Sequence, residues 1–259
     1  MKNFYYVHTG HRVGLDRFRR AIAIVRELQK KMEITLLCSD FRIAHEARHF
    51  GIDLCVGIDI VRNIPQIAYH GDRLIFDSDE ANPFMLEDMK QYFSKFVHID
   101  NSKPVVDEKY FVQTPKTIKL ALFFGDDDYE KDLEKNLDMF DGLDAELLLG
   151  FYYFLDYQEM LKTKFKKFHE FEDYDKVITT SEILITSSPQ AVLECLASGG
   201  KPIYLQRADY PDDFSNLYEL LNIPIIQNFN KTLIISLLAS FDGYNIHPLE
   251  KNLSNLLLL

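Results

Sequence analysis

The chain has few cysteines and no long apolar run. Its 259 residues include three cysteines, Cys38, Cys55 and Cys195, and no CxxC pair. All three fall in apolar strand or helix patterns, so we expect small buried side chains in a reducing compartment. No apolar stretch reaches the roughly 18–20 residues that a membrane span needs, and no signal peptide is visible. We therefore expect a cytoplasmic protein without a transmembrane segment.

Positive charge is also scarce. Lysine and arginine number 29 against 40 aspartates and glutamates, which gives a formal net charge of −11. Such a chain repels phosphate backbones, so nucleic acid is not an expected partner. The rest of the composition, 47% hydrophobic and 27% charged, is that of a globular protein with one large domain or two smaller ones.

Strand and helix patterns alternate along the chain, and this order predicts an α/β fold with parallel sheets. The alternation stops in polar, proline-bearing sequence at 101–115 and then restarts. We therefore predict two Rossmann-like domains, residues 1–113 and 114–259, with a cleft between them. The first domain would face the acceptor or sugar and the second the nucleotide. The leucine-rich residues 253–259 are interpreted as the end of a packed helix.

The most informative segment is residues 183–207, ILITSSPQAVLECLASGGKPIYLQR. It predicts a strand, a polar turn, a capped helix, a Gly-Gly stop and a second strand. The N–H groups at such a helix N-terminus bind phosphate or pyrophosphate. Glu194 lies one and a half turns into the helix, where a carboxylate could accept hydrogen bonds from a ribose. The segment therefore indicates a nucleotide or nucleotide-sugar site.

The same segment has a purely structural interpretation. Ser188 would then be the N-cap, Pro189 the first helical residue, and Gly199 or Gly200 the stop. Glu194 would be a solvated helix glutamate. We slightly favour nucleotide binding over this alternative.

Four motifs carry a resemblance to a known family: ITSSPQAVLECLASGGKPIYL, RLIFDSD, KFVHIDN and VGLDRFRR. With them the sequence resembles the two-domain glycosyltransferase-B superfamily, in particular the UDP-sugar hydrolase of the pseudaminic acid pathway. The resemblance implies that Ser187 and Ser188 face phosphate and that Glu194 faces the ribose. It also implies that Asp77 and Asp100 end paired strands of the first domain, on the substrate side.

The sequence departs from this family at two places. Aligning Gly14 and Arg20 with the glycine and arginine of the family's Gly-x-Gly-His-x-x-Arg turn puts Arg17 on the catalytic histidine. Arginine stays protonated and cannot act as a base near neutral pH, so His11 on the same loop is the substitute candidate. In the second domain the family's paired-glycine loop reads Phe-Gly-Asp-Asp around Gly125, and its carboxylates would repel a pyrophosphate unless a metal or a lysine intervenes.

Other motifs have ordinary structural interpretations, which we favour. The sequence from His45 to His49 matches HExxH, but no third zinc ligand is evident, so an amphipathic surface helix is expected and no metal site is predicted. Residues 126–128 are interpreted as a helix N-terminus, and residues 162–168 and 169–176 as solvated charge runs. The loop that carries His11 is different, because we slightly favour a substrate loop there; the structural alternative is a surface loop with Asp16 as N-cap of a basic helix.

The sequence therefore predicts an enzyme that hydrolyses a nucleotide-sugar, a UDP-sugar, or transfers its sugar in bacterial surface glycan biosynthesis, with no cofactor required. The alternative is a catalytically degenerate binding or scaffold protein of the same fold. Nothing in the sequence indicates the oligomeric state. The candidate residues are His11 and Arg17 for catalysis, Gly14, Arg20 and Asp77 for the substrate, and Gly125, Ser187, Ser188 and Glu194 for the nucleotide.

Overall fold

A computed structural model describes residues 1–249 apart from 154, 166, 211–213, 228, 242 and 243. The leucine-rich residues 253–259, interpreted above as a helix end, lie outside the described residues. The chain divides into two compact units, which meet between Asp107 and Glu108 in the sequence. Each unit has its own parallel sheet, which confirms two Rossmann-like α/β domains. The roles of the two domains and the cleft between them stay predictions.

The first unit has a five-stranded sheet in which all neighbouring strands are parallel. The strand order is β3-β2-β1-β4-β5. Helices pack on the sheet, and the central strands β1, β2 and β4 are largely apolar and buried, as parallel sheets require. The edge strands β3 and β5 are only partly buried. The elements are β1 (Asn3–Val7), α1 (Asp16–Gln29), β2 (Thr35–Cys38), α2 (Phe41–Glu46), β3 (Cys55–Gly57), β4 (Arg73–Asp77), α3 (Pro83–Tyr92) and β5 (Lys95–His98).

The second unit has a six-stranded parallel sheet in the order β11-β10-β9-β6-β7-β8. Its core lies on β6 and β9, which are flanked on both sides by further strands. The elements are β6 (Ile118–Phe123), α4 (Asp132–Lys135), β7 (Glu146–Leu148), α5 (Leu155–Lys162), β8 (Phe168–His169), α6 (Tyr174–Thr180), β9 (Ser181–Thr186), α7 (Pro189–Ala197), β10 (Lys201–Leu205), α8 (Ser215–Leu221), β11 (Ile225–Ile226) and α9 (Lys231–Ser240).

The charged stretch at 169–176 is not simply a solvated run. The first residue of the stretch, His169, belongs to the short edge strand β8. Its last residues begin α6, which buries Tyr174, Val177 and Ile178. The buried apolar residues of α6 lie three and four positions apart, which is helical spacing. The charged residues beside them hid this apolar face when the stretch was judged by its charge alone. The expected structure was therefore wrong there.

The apolar run at 145–154 predicts one long strand, but β7 is shorter, because the chain turns after Leu148. Gly150 lies directly against the backbone of the loop that follows β6. A Cβ at this position would be 2.4 Å from the Gly125 carbonyl oxygen and 2.6 Å from the Asp126 carbonyl carbon. The Tyr152 amide also donates to the Asp126 carbonyl oxygen at 2.8 Å. Only glycine lets the two backbones come this close.

Replacing Gly150 by alanine should destabilise the second unit by about 2–3 kcal/mol, because a backbone segment must shift to admit one methyl group. Urea denaturation measures the change. Gly10→Ala is the matched control, since a Cβ there meets no atom within 4 Å. A Gly150→Ala protein as stable as the control would show that the loop is not held in this position.

Candidate functional site

In each unit one pair of neighbouring strands has connections that leave in opposite directions. The pair is β1 and β4 in the first unit and β6 and β9 in the second. Ligands of open α/β sheets bind beyond the carboxyl ends of strands at such a switch point. All nine candidate residues lie at the carboxyl end of one of these four strands, or on the loop or helix that follows it.

The loop after β1 is a glycine turn that leads into α1. Gly14 has a φ of +70°, which favours glycine, and its amide donates to the Gly10 carbonyl oxygen at 2.9 Å. The Thr9 hydroxyl donates to the Gly14 carbonyl oxygen, also at 2.9 Å. His11 is half-buried on this turn. Its role as a base stays a prediction.

Arg17 makes a two-pronged ion pair with Asp79, which follows β4. Its two terminal nitrogens donate to the two carboxylate oxygens at 2.8 and 2.9 Å. The hydrogen bonds from Arg17 hold the pKa of Asp79 well below its usual range. Arg17 is therefore a charged residue with its own counter-ion at this switch point. The N-cap of α1 is Leu15, without a side-chain cap hydrogen bond, so the expected capping role of Asp16 was wrong.

His8 is an imidazole that the sequence interpretation passed over. It follows β1 directly, and its Nδ1 lies 3.4 Å from the same Asp79 carboxylate that binds Arg17. The available signal was its position at a strand end, where polar residues are often functional in this type of fold. Two histidines, His8 and His11, thus lie on the turn that follows β1.

Arg20 and Asp77 form an ion pair in the interior of the first unit. The Asp77 carboxylate is fully buried and also accepts a hydrogen bond from the Tyr5 hydroxyl at 2.7 Å. A second acceptor for the Arg20 guanidinium is the Asn101 side-chain oxygen at 2.8 Å. Burial and the neighbouring Asp77 raise the pKa of Tyr5, so the phenol remains a donor. This network joins α1 to the end of β4, and contact of either residue with a substrate stays a prediction.

Arg20→Met should cost about 3–5 kcal/mol of stability, because it leaves a buried carboxylate without its cation. Arg17→Met is the matched control and should cost under about 1 kcal/mol, because its partner Asp79 is 66% exposed. Chemical denaturation of both variants measures the difference. Equal losses for the two variants would contradict the structural role of Arg20.

In the second unit the two candidate serines on the turn after β9 have different surroundings. Ser188 is the N-cap of α7, since its hydroxyl accepts from the Ala191 amide at 3.0 Å, and Pro189 is the first helical residue. The glycine stop is also confirmed, with Gly199 at a φ of +76°. The Ser187 hydroxyl is buried and has no hydrogen-bond partner among the described residues. It is Ser187 that lacks a structural use for its side chain.

Glu194 is not the solvated glutamate of the structural interpretation, since it is only 1% exposed. Its carboxylate accepts from the Tyr174 hydroxyl at 2.7 Å and from the Gln190 side-chain amide at 2.8 Å. Gln190 stands one helical turn earlier on α7, and Tyr174 comes from α6. Neutral donors thus stabilise a buried carboxylate in this helix.

The acidic loop after β6 is organised by a buried cation, Arg207, that sequence reasoning missed. Arg207 follows β10, is 0% exposed, and donates to the Asp127 carbonyl oxygen at 2.7 Å and its carboxylate at 3.2 Å. Asp209 accepts two further hydrogen bonds from the guanidinium at 2.9 and 2.6 Å. The guanidinium carbon Cζ of Arg207 lies over the rings of Phe124 at 4.7 Å and Tyr210 at 4.3 Å. The position after a strand was the only signal in the sequence.

The backbone of the acidic loop bends at Gly125, with a φ of +120°. A Cβ there would lie 3.3 Å from the Tyr210 hydroxyl oxygen and 3.5 Å from an Arg207 nitrogen, so glycine also provides space for the cation. Asp128 accepts from the amides of Asp132 and Leu133 at 2.6 and 3.0 Å. Its carboxylate therefore caps a helix N-terminus, as the structural interpretation expected.

Burial raises the pKa of Asp127 from 3.8 to about 6, although Arg207 opposes the rise. Because the folded-state pKa exceeds the unfolded one, this carboxyl contributes stability below pH 3.8 that is lost as the pH rises through 6. Asp127→Asn has no carboxyl group to deprotonate, so the variant does not lose this stability. The free energy of unfolding of the variant minus that of the parent protein should therefore rise between pH 4 and pH 7, by about 2–3 kcal/mol.

Denaturation of both proteins across this pH range measures the effect. Asp144→Asn is the control, because Asp144 is exposed in the same unit and its replacement should leave the difference flat. A difference for Asp127→Asn that is flat or falls with pH would contradict a raised pKa.

The HExxH match does not form the helical face that a zincin needs. α2 ends at Glu46, so His49 lies beyond the helix, where its Nδ1 is 2.6 Å from the Glu46 carboxylate. Within the described residues no group of three or more histidine, cysteine, aspartate or glutamate side chains is placed to hold a metal ion. Among those residues there is also no helix both long and apolar enough to cross a membrane.

No family model and no curated protein sequence matches the chain. Solved structures do match. The glycosyltransferase SnogD from Streptomyces nogalater is 12% identical, with a TM-score of 0.57 over 95% of this chain and 92% of that one. The UDP-GlcNAc 2-epimerase of Methanocaldococcus jannaschii, solved with UDP-GlcNAc and UDP, is 11% identical, with a TM-score of 0.56 over 92% of each chain.

A third structure, the spinosyn rhamnosyltransferase SpnG complexed with thymidine diphosphate, is 9% identical, with a TM-score of 0.56 over 93% of this chain and 92% of that one. At these identities the likeness shows the fold. The chain has a fold of the glycosyltransferase-B type, with two Rossmann-like domains.

Proposed function

We propose that this chain binds a nucleotide-sugar, a UDP-sugar, and that its diphosphate lies at the carboxyl ends of β6 and β9. One observation carries the proposal. The Ser187 hydroxyl is buried beside the N-terminus of α7 and has no partner among the described residues. An unsatisfied buried hydroxyl costs about 1–3 kcal/mol. A phosphate oxygen would be its acceptor and would also be stabilised by the positive end of α7.

Arg207 reduces the main objection to an anion at this edge. The acidic loop around Gly125 would repel a diphosphate if its charge were uncompensated. The buried guanidinium, which follows β10, pairs with Asp127 of this loop and with Asp209, so it offsets part of the negative charge there. Two proteins of the same fold were solved with nucleoside diphosphates, which supports this class of ligand.

The ribose would be recognised by Glu194, as the resemblance to the UDP-sugar hydrolase of the pseudaminic acid pathway implies. Its carboxylate oxygens already accept hydrogen bonds from Tyr174 and Gln190. A ribose hydroxyl would replace one of these donors or bind to a remaining lone pair. The exchange would conserve the number of hydrogen bonds to the carboxylate.

Hydrolysis or transfer needs a base that activates water or an acceptor hydroxyl. His11 is our candidate, and His8 is a second imidazole on the same turn. Arg17, charged and paired with Asp79, would stabilise anionic groups of the substrate or departing product instead. No cofactor enters this chemistry. A role in bacterial surface glycan biosynthesis, which the resemblance implies, and a cytoplasmic location, which the cysteine pattern suggests, belong to this proposal.

A catalytically degenerate binding protein of the same fold is the second candidate. One observation favours it. Arg17 aligns with the family's base position and is held by Asp79. Such a chain would keep nucleotide affinity and lose turnover.

UDP at millimolar concentration should raise the melting temperature, since a ligand at 100 times its Kd stabilises by about 2.7 kcal/mol. Ser187→Ala and Glu194→Ala should each reduce or remove the shift. Ser236→Ala, an exposed serine on α9, is the control and should retain it. If no nucleotide shifts the melting of the parent protein, nucleotide binding is refuted and both candidates fail.

Turnover then separates the two candidates. The enzyme releases UDP slowly from a UDP-sugar, and His11→Ala abolishes the release, whereas His45→Ala on exposed α2 leaves it unchanged. His8→Ala tells which of the two imidazoles is the base. Retained UDP binding without release from any sugar tested identifies the degenerate binder.

A further inference from the structure

Cys38 and Cys55 lie next to each other in the first unit, although they are seventeen positions apart in the sequence. Cys38 is the last residue of β2 and Cys55 the first of β3, and their sulfur atoms are 3.6 Å apart. In the parallel register Cys38 lies opposite Gly57, so the two cysteines are diagonal neighbours. Cys38 is buried and Cys55 is half-buried, so one of the two sulfurs is within reach of solvent.

The strand that carries Cys55 is placed to move. β3 has three residues and lies at the edge of the sheet, where it pairs with β2. A disulfide needs a sulfur–sulfur distance of about 2.0 Å. The two sulfurs must approach by about 1.6 Å to close the observed 3.6 Å gap. Diagonal neighbours lie about 7–8 Å apart, beyond the roughly 4.4–6.8 Å between the Cα atoms of a disulfide, so β3 must also shift along β2. Because β3 is an edge strand, this shift leaves the central β1–β4 pair intact.

We propose that Cys38 and Cys55 form a reversible disulfide when the protein meets a hydroperoxide, and that this oxidation alters the turn after β1. The inference does not depend on the proposed function. It requires an oxidant, and the hydroperoxide supplies it.

The chemistry balances with one hydroperoxide per pair. The Cys55 thiolate attacks the peroxide oxygen, the O–O bond breaks, and a sulfenic acid and an alcohol or water form. Cys38 sulfur then attacks the Cys55 sulfur, the S–O bond breaks, and the hydroxyl leaves as water with the thiol proton. Two thiols lose two electrons in total, and the peroxide gains them. Contact with the Cys55 thiol and burial raise the pKa of Cys38, so Cys38 forms little thiolate and the half-buried Cys55 is the cysteine that reacts with the peroxide first.

A short chain of hydrogen bonds connects the cysteine pair to the turn after β1. Ser39 follows Cys38, and its hydroxyl donates to the Thr9 carbonyl oxygen at 2.7 Å and accepts from the Thr9 amide at 2.8 Å. Thr9 in turn donates to the Gly14 carbonyl oxygen. These bonds would transmit to the turn that carries His11 any displacement of Cys38 that accompanies disulfide formation.

Cys195 provides an internal control. It is fully buried in the second unit, and burial raises its pKa to about 12, so it forms little thiolate.

The test treats the full chain with equimolar hydrogen peroxide and counts thiols after denaturation. We expect the count to fall from three to one, with an intact-mass loss of about 2 Da. Dithiothreitol should restore all three. Cys195→Ala should still lose two thiols, whereas Cys55→Ser and Cys55→Ala should form no intramolecular disulfide. Both Cys55 variants change a half-buried edge residue, and their melting curves verify that they are folded.

Amide hydrogen exchange tests the second part of the proposal. The amides of Val13 and Gly14, which donate to the Gly10 carbonyl oxygen, should exchange at least several-fold differently in the oxidised protein and be unchanged by peroxide in Cys55→Ser. Three remaining thiols, a disulfide-linked dimer, or a disulfide that includes Cys195 would overturn the pairing. A Cys38–Cys55 disulfide with unaltered exchange at Val13 and Gly14 would overturn the coupling to the turn.

Discussion

The parallel pairing of β1 with β4, and of β6 with β9, determines where the candidate functional side chains of this protein lie. Parallel neighbours end at the same edge of a sheet, so the loops that follow them share that edge even when they are far apart in sequence. The pairing brings Arg17 to Asp79 across sixty-two residues and the Ser187 amide to the Phe123 carbonyl oxygen.

Charges buried near these edges are each balanced by a partner in the same unit. Arg20 pairs with Asp77 in the first unit, and Arg207 pairs with Asp127 of the acidic loop in the second. Glu194 is instead satisfied by neutral donors. Burying an unpaired charge costs several kcal/mol, so these partners are conditions for the fold as well as features of its candidate sites. Ser187 is different, because its buried hydroxyl has no such partner among the described residues.

Local signals predicted much of the architecture. Strand patterns alternate with helix patterns along the sequence. The start of α7 at Ser188 and Pro189 and its end at Gly199 each follow from a few neighbouring residues. The same reasoning failed at α6, where charged residues surround a narrow apolar face, and at residues 145–154, where Gly150 ends the strand pattern by a backbone contact with the distant Gly125. Rules based on neighbouring residues cannot predict contacts between residues that are distant in sequence.

The sequence by itself determined the α/β class, the division into two similar halves and the turn at Ser187, because composition, periodicity and helix capping are local properties of the chain. Only the tertiary structure decided which charges neutralise each other and which thiols meet. Arg207 reaches Asp127 across eighty residues, and Cys38 reaches Cys55 through strand register. Those contacts depend on how distant strands pair, and pairing is a property of the whole folded sheet.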